Sequence, residues 1–149
     1  MRFALTEEEE MIRDAARRIA AERLAPHAEA LDRGEGRDAL LANLKLLAQN
    51  GFSALNVRAE HGGSEAGTVA FALAIEELAY ACASTAVSTS VTNMVGEVIQ
   101  AVGSPEQKAR HLPRLADGTY LAGAFCLTEA QAGSDPSAMR TRARRDGEG

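Results

Sequence analysis

The amino-acid sequence predicts a mainly α chain of about five to six helices, followed after Gly118 by the first strands of a β unit. Three observations carry that class. Apolar residues recur at three- and four-residue spacing from Ile12 to Ala116, the period of one helix face. Two helix-start signatures, Thr6 with Glu9 and Ser104-Pro105-Glu106-Gln107, stand near either end of that region. Beyond Gly118 the pattern changes to a short uncharged run and then to strict alternation.

Each element follows from local chemistry. Thr6 and Glu9 form a capping box, Glu7 to Glu10 put negative charge at the positive end of the helix dipole, and Ile12, Ala16, Ile19, Ala20 and Leu24 mark the inward face. Pro26 interrupts this helix or opens the next, and Ala28 and Leu31 extend the face until Gly34 and Gly36. A second helix starts at Asp38, with Leu40, Leu41, Leu44, Leu47 and Ala48 inward and Gly51 as its stop. Residues 52–67 read as loop, with Gly62-Gly63 supplying a tight turn. A third helix runs from Thr68 with Phe71, Ile75, Leu78 and Ala79 on one face, broken at Ala83-Ser84-Thr85. The fourth places Val87, Val91, Val95, Val98 and Val102 inward and ends at Gly103; valine disfavours helix, so burial must outweigh propensity there. The fifth runs from Ser104 to Ala116. Tyr120 to Thr128 suits a buried strand, Glu129 to Ser137 a loop, and Met139 to Arg145 a half-solvated strand. Asp146-Gly147 is a hairpin signal with no returning strand after it, so the chain reads as a piece of something longer, the alternative being a frayed tail.

Composition excludes several functions. The uncharged stretch Ala79 to Gly96 is dotted with Ser, Thr and Asn, so it is no membrane span. The N-terminus leads into four glutamates, the reverse of a secretory signal. With 149 residues, net charge −5 and no basic stripe, nucleic acid is not an expected partner. His27, His61, His111, Cys82 and Cys126 show no ligand spacing, so no metal site is expected. Both cysteines lie in apolar runs, which predicts buried, reduced thiols and a cytoplasmic setting.

Chemistry concentrates in Phe125-Cys126-Leu127-Thr128-Glu129-Ala130-Gln131-Ala132-Gly133-Ser134-Asp135. A strand delivers the chain to a loop bearing two hydroxyls, a glycine and backbone N–H groups with no evident ladder partner. That suits a planar heterocycle with an attached phosphate: Thr128 donates to a ring atom, Gly133 allows close backbone approach, and Ser134 meets an anionic group. A plain turn, in which Ser134 and Asp135 cap their own backbone, accounts for the same residues.

Leu127-Thr128-Glu129-x-x-Ala132-Gly133-Ser134-Asp135, followed by Met139-Arg140-Thr141-x-Ala143, resembles the flavin-contacting signature of the acyl-CoA dehydrogenases. Phe3-x-Leu5-Thr6-Glu7-Glu8, Asn50-Gly51-Phe52, His61-Gly62-Gly63, Glu76-Glu77-Leu78-Ala79 and Gly103-Ser104-x-x-Gln107-Lys108-x-x-x-Leu112-Pro113 resemble further family motifs in the same order, so the resemblance covers essentially the whole chain. Two departures stand out: Ala130 replaces the usual proline after the glutamate, and Arg58 a proline before the Gly-Gly turn.

The resemblance implies an N-terminal all-helical domain over residues 1–118 and the beginning of a β-barrel-like middle domain over 119–149, without the family's C-terminal helical domain. It implies FAD held by Phe125, Cys126, Leu127, Thr128, Glu129, Ala130, Gln131, Ala132, Gly133 and Ser134, with Ser134 also touching an acyl-CoA substrate. Val87, Ser88, Val91 and Val95 become acyl-pocket candidates, with plain core packing as the alternative. The implied reaction, in fatty acid metabolism, is α,β-dehydrogenation: a glutamate takes the α-proton while hydride leaves the β-carbon for the flavin. That base lies in the C-terminal domain, so neither Glu76, Glu77 nor Glu129 is the base and no catalytic residue is assigned here. An electron-transfer flavoprotein as acceptor and a homo-oligomer, dimer or tetramer, are implied as partners. Alone, the chain should bind FAD poorly, because the family's second flavin segment lies beyond it. Alternatives are an acyl-CoA oxidase or related flavin monooxygenase of the same fold, and a non-catalytic helical interaction module.

Overall fold

A computed structural model describes residues 4–144, 146 and 147. Phe3, Arg145, Glu148 and Gly149 lie outside the described residues. The first helix, α1 (Glu7–Ile19), opens on the predicted capping box: Thr6 Oγ1 accepts the Glu9 N–H at 3.1 Å and Glu9 Oε2 accepts the Thr6 N–H at 2.6 Å. Pro26 does not stop the chain. It has no N–H for the carbonyl one turn back, so the helix widens first. A π turn over Ala20–Leu24 sends the Ala25 N–H five residues back to Ala20, a 3-10 turn follows over Ala25–His27, and α2 (Ala28–Asp32) completes the rod.

The second predicted helix is α3 (Arg37–Gln49), closed by Gly51 in the left-handed region at φ 82°. Next comes α4 (Gly67–Ala81), then α5 (Ala83–Val102) and α6 (Pro105–Ala116). Between α4 and α5 only Cys82 is non-helical, in extended conformation, so the break falls one residue before the predicted Ala83-Ser84-Thr85. At the start of α6, Ser104 and Gln107 form the second capping box, with bonds of 3.3 and 2.8 Å. Among the described residues, no helix is long and apolar enough to cross a membrane.

Helix α1 packs against α4, α4 against α5, α5 against α6, and α3 against α5. Small residues allow this close approach: Ala16, Ala20, Ala74 and Ala86 interleave with Leu24, Leu47, Leu78 and Cys82 in the main core. On the edge of the α1–α4 contact, Arg17 grips Glu77 through two bonds, Nη2 to Oε1 at 2.6 Å and Nε to Oε2 at 3.1 Å. That guanidinium holds the Glu77 carboxyl below its ordinary pKa.

Residues 52–67 are a loop in type, as predicted, but its first part, 52–57, is largely buried. Phe52, Ala54, Leu55 and Val57 are core residues. The segment folds back on itself, with Ser64 N–H on Ala54 O, Ala66 N–H on Leu55 O and Glu65 N–H on Val57 O. Gly63 is required by proximity: a Cβ there would lie 2.0 Å from the Val57 carbonyl oxygen.

The valine stripe of α5 faces outward, contrary to expectation. Val87 is 62% exposed and Val102 80%, Val98 is exposed, and Val91 and Val95 are half-buried. The buried face is Thr85, Ala86, Thr89, Thr92, Asn93 and Gly96. These polar side chains tolerate burial because each finds a partner. Thr89 Oγ1 donates to Thr85 O at 2.9 Å and Thr92 Oγ1 to Ser88 O at 2.7 Å, while their methyl groups pack. Asn93 donates to Phe52 O and Thr89 O and accepts the Leu55 N–H.

Among the described residues, neither predicted strand, Tyr120 to Thr128 or Met139 to Arg145, is paired. Among the described residues of 120–144 the only ladder-like contact is an isolated bridge between Glu129 and Ala132. A strand exists only when a neighbour takes its alternate N–H and C=O groups, and segments 120–128 and 139–144 do not pair with each other. The thiol expectation divides likewise: Cys82 is buried and free, whereas Cys126 is exposed and free.

Candidate functional site

The arm that follows α6 carries every predicted cofactor residue. Its root is fixed to the bundle. Tyr120 N–H donates to Arg114 O at 2.8 Å, and Gly123 N–H donates to Thr92 Oγ1 at 3.0 Å. Gly123 sits so close to α5 that a Cβ would come within 2.9 Å of Val95 Cβ. The arm therefore starts against α5, at the buried Thr92 and the half-buried Val95.

Beyond Gly123 the arm is on the surface. Phe125, Cys126, Leu127 and Thr128 are exposed, as is Met139 farther on. The chain then turns tightly: Glu129 N–H meets Ala132 O at 3.0 Å and Ala132 N–H meets Glu129 O at 3.1 Å. Ala132 is 2% exposed, the one buried residue among the described residues of the arm. Gln131 Nε2 donates to the Glu129 carboxylate. The same carboxylate accepts the backbone N–H of Arg140 at 2.8 Å and of Thr141 at 2.9 Å. Hydrogen bonding from Thr141, then from the Arg140 backbone, lowers its pKa to about 2. Glu129 thus remains an anion throughout the neutral range, bonded to its own chain.

Ser134 and Asp135 have different roles. Asp135 behaves as a turn former, its Oδ1 accepting both the N–H and the hydroxyl of Ser137 at the start of a 3-10 turn over Pro136–Ala138. Ser134 does not cap its own backbone. Among the described residues, neither the Ser134 nor the Thr128 hydroxyl has a hydrogen-bond partner, and both residues are exposed. Gly133 leaves open space, with nothing within 4 Å of where a Cβ would stand. The two hydroxyls and the Gly133 backbone are thus open to solvent beside a fastened turn, and they are groups of the kind that a ring and a phosphate call for.

Of the acyl-pocket candidates, Val87 and Val91 line an apolar cleft of about 200 Å³ between α4 and α5, with Ile75, Ala79, Ala83 and Ala86. Ser88 and Val95 do not line it: Ser88 Oγ bonds back to Ser84 O, and Val95 faces Gly123. Sequence reasoning missed the arm's fasteners, Thr92, Arg140 and Thr141. Glu129 and Thr141 stand twelve positions apart, a separation that matches no local motif.

Comparison with known proteins agrees with this architecture. The family model described as "Acyl-CoA dehydrogenase, N-terminal domain" matches residues 6–119. A probable acyl-CoA dehydrogenase of Bacillus subtilis is 37% identical over 149 residues, covering 99% of this chain and 38% of that protein. A chain from structural work on the electron transferring flavoprotein of Acidaminococcus fermentans superposes with a TM-score of 0.85 at 34% identity, covering 99% of this chain and 38% of that one. An acyl-CoA dehydrogenase from Bacillus anthracis, solved in complex with FAD, superposes with a TM-score of 0.80 at 29% identity, covering 91% of this chain and 23% of that one. The chain therefore spans under two-fifths of the relatives it matches. The capped helices, the helical packing and the family model over residues 6–119 together show that this chain belongs to the acyl-CoA dehydrogenase family.

Proposed function

We propose that this chain is the N-terminal portion of an FAD-dependent acyl-CoA dehydrogenase, an oxidoreductase of fatty acid metabolism that introduces an α,β double bond into an acyl-CoA thioester. The observation that carries the reading is the free pair of hydroxyls, Thr128 and Ser134, on a fastened turn of a chain from this family. In this reading residues 1–118 are the helical domain and 119–149 begin the middle β domain, whose strands acquire ladder partners from further chain.

When bound, the flavin supplies the acceptor for hydride from the substrate. The residues of this chain bind and orient. Thr128 donates a hydrogen bond to the ring edge, Gly133 admits the close approach of the ligand to the backbone, and Ser134 serves both the anionic part of the cofactor and the acyl-CoA. Phe125, Cys126, Leu127, Ala130, Gln131 and Ala132 form the surrounding run. No residue here takes the α-proton. Glu77 is paired with Arg17, Glu129 is occupied by backbone N–H groups, and Glu76 is exposed. Val87 and Val91 close the far end of an acyl pocket. An electron-transfer flavoprotein as acceptor is supported by the structural match to a chain from work on such a protein, and a cytoplasmic dimer or tetramer completes the proposal.

Titration of the chain with FAD, followed by quenching of flavin fluorescence, tests the site. Weak but saturable binding is expected, weakened further by Thr128→Ala and by Ser134→Ala. Binding indifferent to both substitutions overturns the assignment, and purification of the chain with stoichiometric flavin contradicts the expected weakness. For the reaction, acyl-CoA turnover by the full-length protein should proceed with an artificial electron acceptor and without peroxide release; peroxide as the main product would instead identify an oxidase.

A further inference from the structure

Glu129 lies inside the predicted cofactor run, yet its side chain is turned toward the protein's own backbone. One oxygen accepts the Arg140 N–H at 2.8 Å and the other the Thr141 N–H at 2.9 Å. Its main chain is meanwhile locked to Ala132 through the reciprocal pair at 3.0 and 3.1 Å, with the Ala132 side chain buried. Residues 129–141 therefore make a closed loop, fastened at its base by one carboxylate and internally by one tight turn. Thr128 is covalently joined to the first fastening, and Ser134 stands two residues beyond the second.

We infer that Glu129 is a positioning residue, whose carboxylate bridges the 129–132 turn to the Arg140–Thr141 backbone and so holds Thr128 and Ser134 in place before any flavin arrives. This rests on the flavin reading above. The residue type matters because a carboxylate is acceptor-only and takes two N–H groups at once, through charge-assisted bonds. A glutamine amide accepts with its oxygen but points an NH₂ at the second donor. In an arm lacking a strand ladder, these bonds satisfy backbone donors that a sheet would otherwise take. Ordering the loop in advance lowers the entropy lost when a ligand binds.

Amide hydrogen exchange and FAD titration of the full-length protein separate the two parts of this inference. Glu129→Gln is expected to speed exchange at the Arg140 and Thr141 amides. It should raise the FAD dissociation constant about tenfold, the scale of one lost charge-assisted hydrogen bond, and shift the visible spectrum of bound flavin toward that of free flavin, with the unfolding midpoint of the helical bundle unchanged. Glu129→Asp keeps the charge but loses the reach, and should behave like Glu129→Gln. Faster exchange with unchanged FAD binding overturns the positioning role, as does exchange identical to wild type. Full rescue by Glu129→Asp attributes the effect to charge alone and also overturns it. Failure of the unsubstituted full-length protein to bind FAD defeats the flavin reading itself, and is distinguished from the other outcomes because it appears without any substitution.

Discussion

Asn93 Oδ1 accepts the backbone N–H of Leu55 at 2.7 Å, deep between α5 and the irregular segment that precedes α4. The same side chain donates to Phe52 O at 2.8 Å, so one amide satisfies both an N–H and a C=O of a buried stretch that has no helix or sheet to do so. A threonine-and-asparagine face on α5 is thereby compatible with a core otherwise built from alanine and leucine.

Replacing Asn93 with leucine keeps the branched shape of the side chain but leaves the Leu55 N–H and Phe52 O buried without partners. The expected loss is about 2–4 kcal/mol, from two orphaned groups of about 1–3 kcal/mol each, partly relieved by relaxation. Urea unfolding followed by circular dichroism measures it. A change under about 0.5 kcal/mol would mean that this segment does not depend on the peg.

Exposure of the valine stripe predicts the opposite result on the other face of the same helix. Val102→Ser should alter stability by no more than about 0.5 kcal/mol, because the side chain is 80% exposed. A loss of about 1 kcal/mol or more in the same unfolding assay would restore the valines to the core.

The two thiols should differ sharply in reactivity. Under native conditions a small thiol reagent should modify Cys126 at the rate of an accessible cysteine, while Cys82, 3% exposed, reacts only on unfolding. Mass spectrometry of the timed reaction assigns each site. Equal rates would contradict the exposed arm.

Acid should release the Glu129 clasp. A carboxylate whose folded pKa is depressed contributes stability above its unfolded pKa and loses it as pH falls toward the folded value. For Glu129 the ordinary value is 4.5 and the folded value about 2, so the window lies between them. Glu77, held down by Arg17, titrates in the same direction. Exchange protection of the Arg140 and Thr141 amides, corrected for intrinsic rates, should hold above pH 5 and decline from about pH 4.5 toward 2. Protection unchanged across that window would show that the carboxylate does not hold those amides.

The sequence by itself determined the starts of α1 and α6, the stop of α3 and the run that bears the candidate site. Thr6 with Glu9 and Ser104 with Gln107 close their boxes within three residues, and Gly51 ends α3 by its own backbone freedom, so no distant partner is needed. Only the tertiary structure decided which face of α5 is buried. A periodic pattern shows that a helix has two faces, but not which of them meets a neighbour, and Asn93 reaches its partner across 38 positions. It also decided that segments 120–128 and 139–144 remain unpaired, that Cys126 is exposed, and that Glu129 bonds to its own backbone. Each of these depends on whether a partner group lies within about 3 Å in space, which spacing along the chain does not encode.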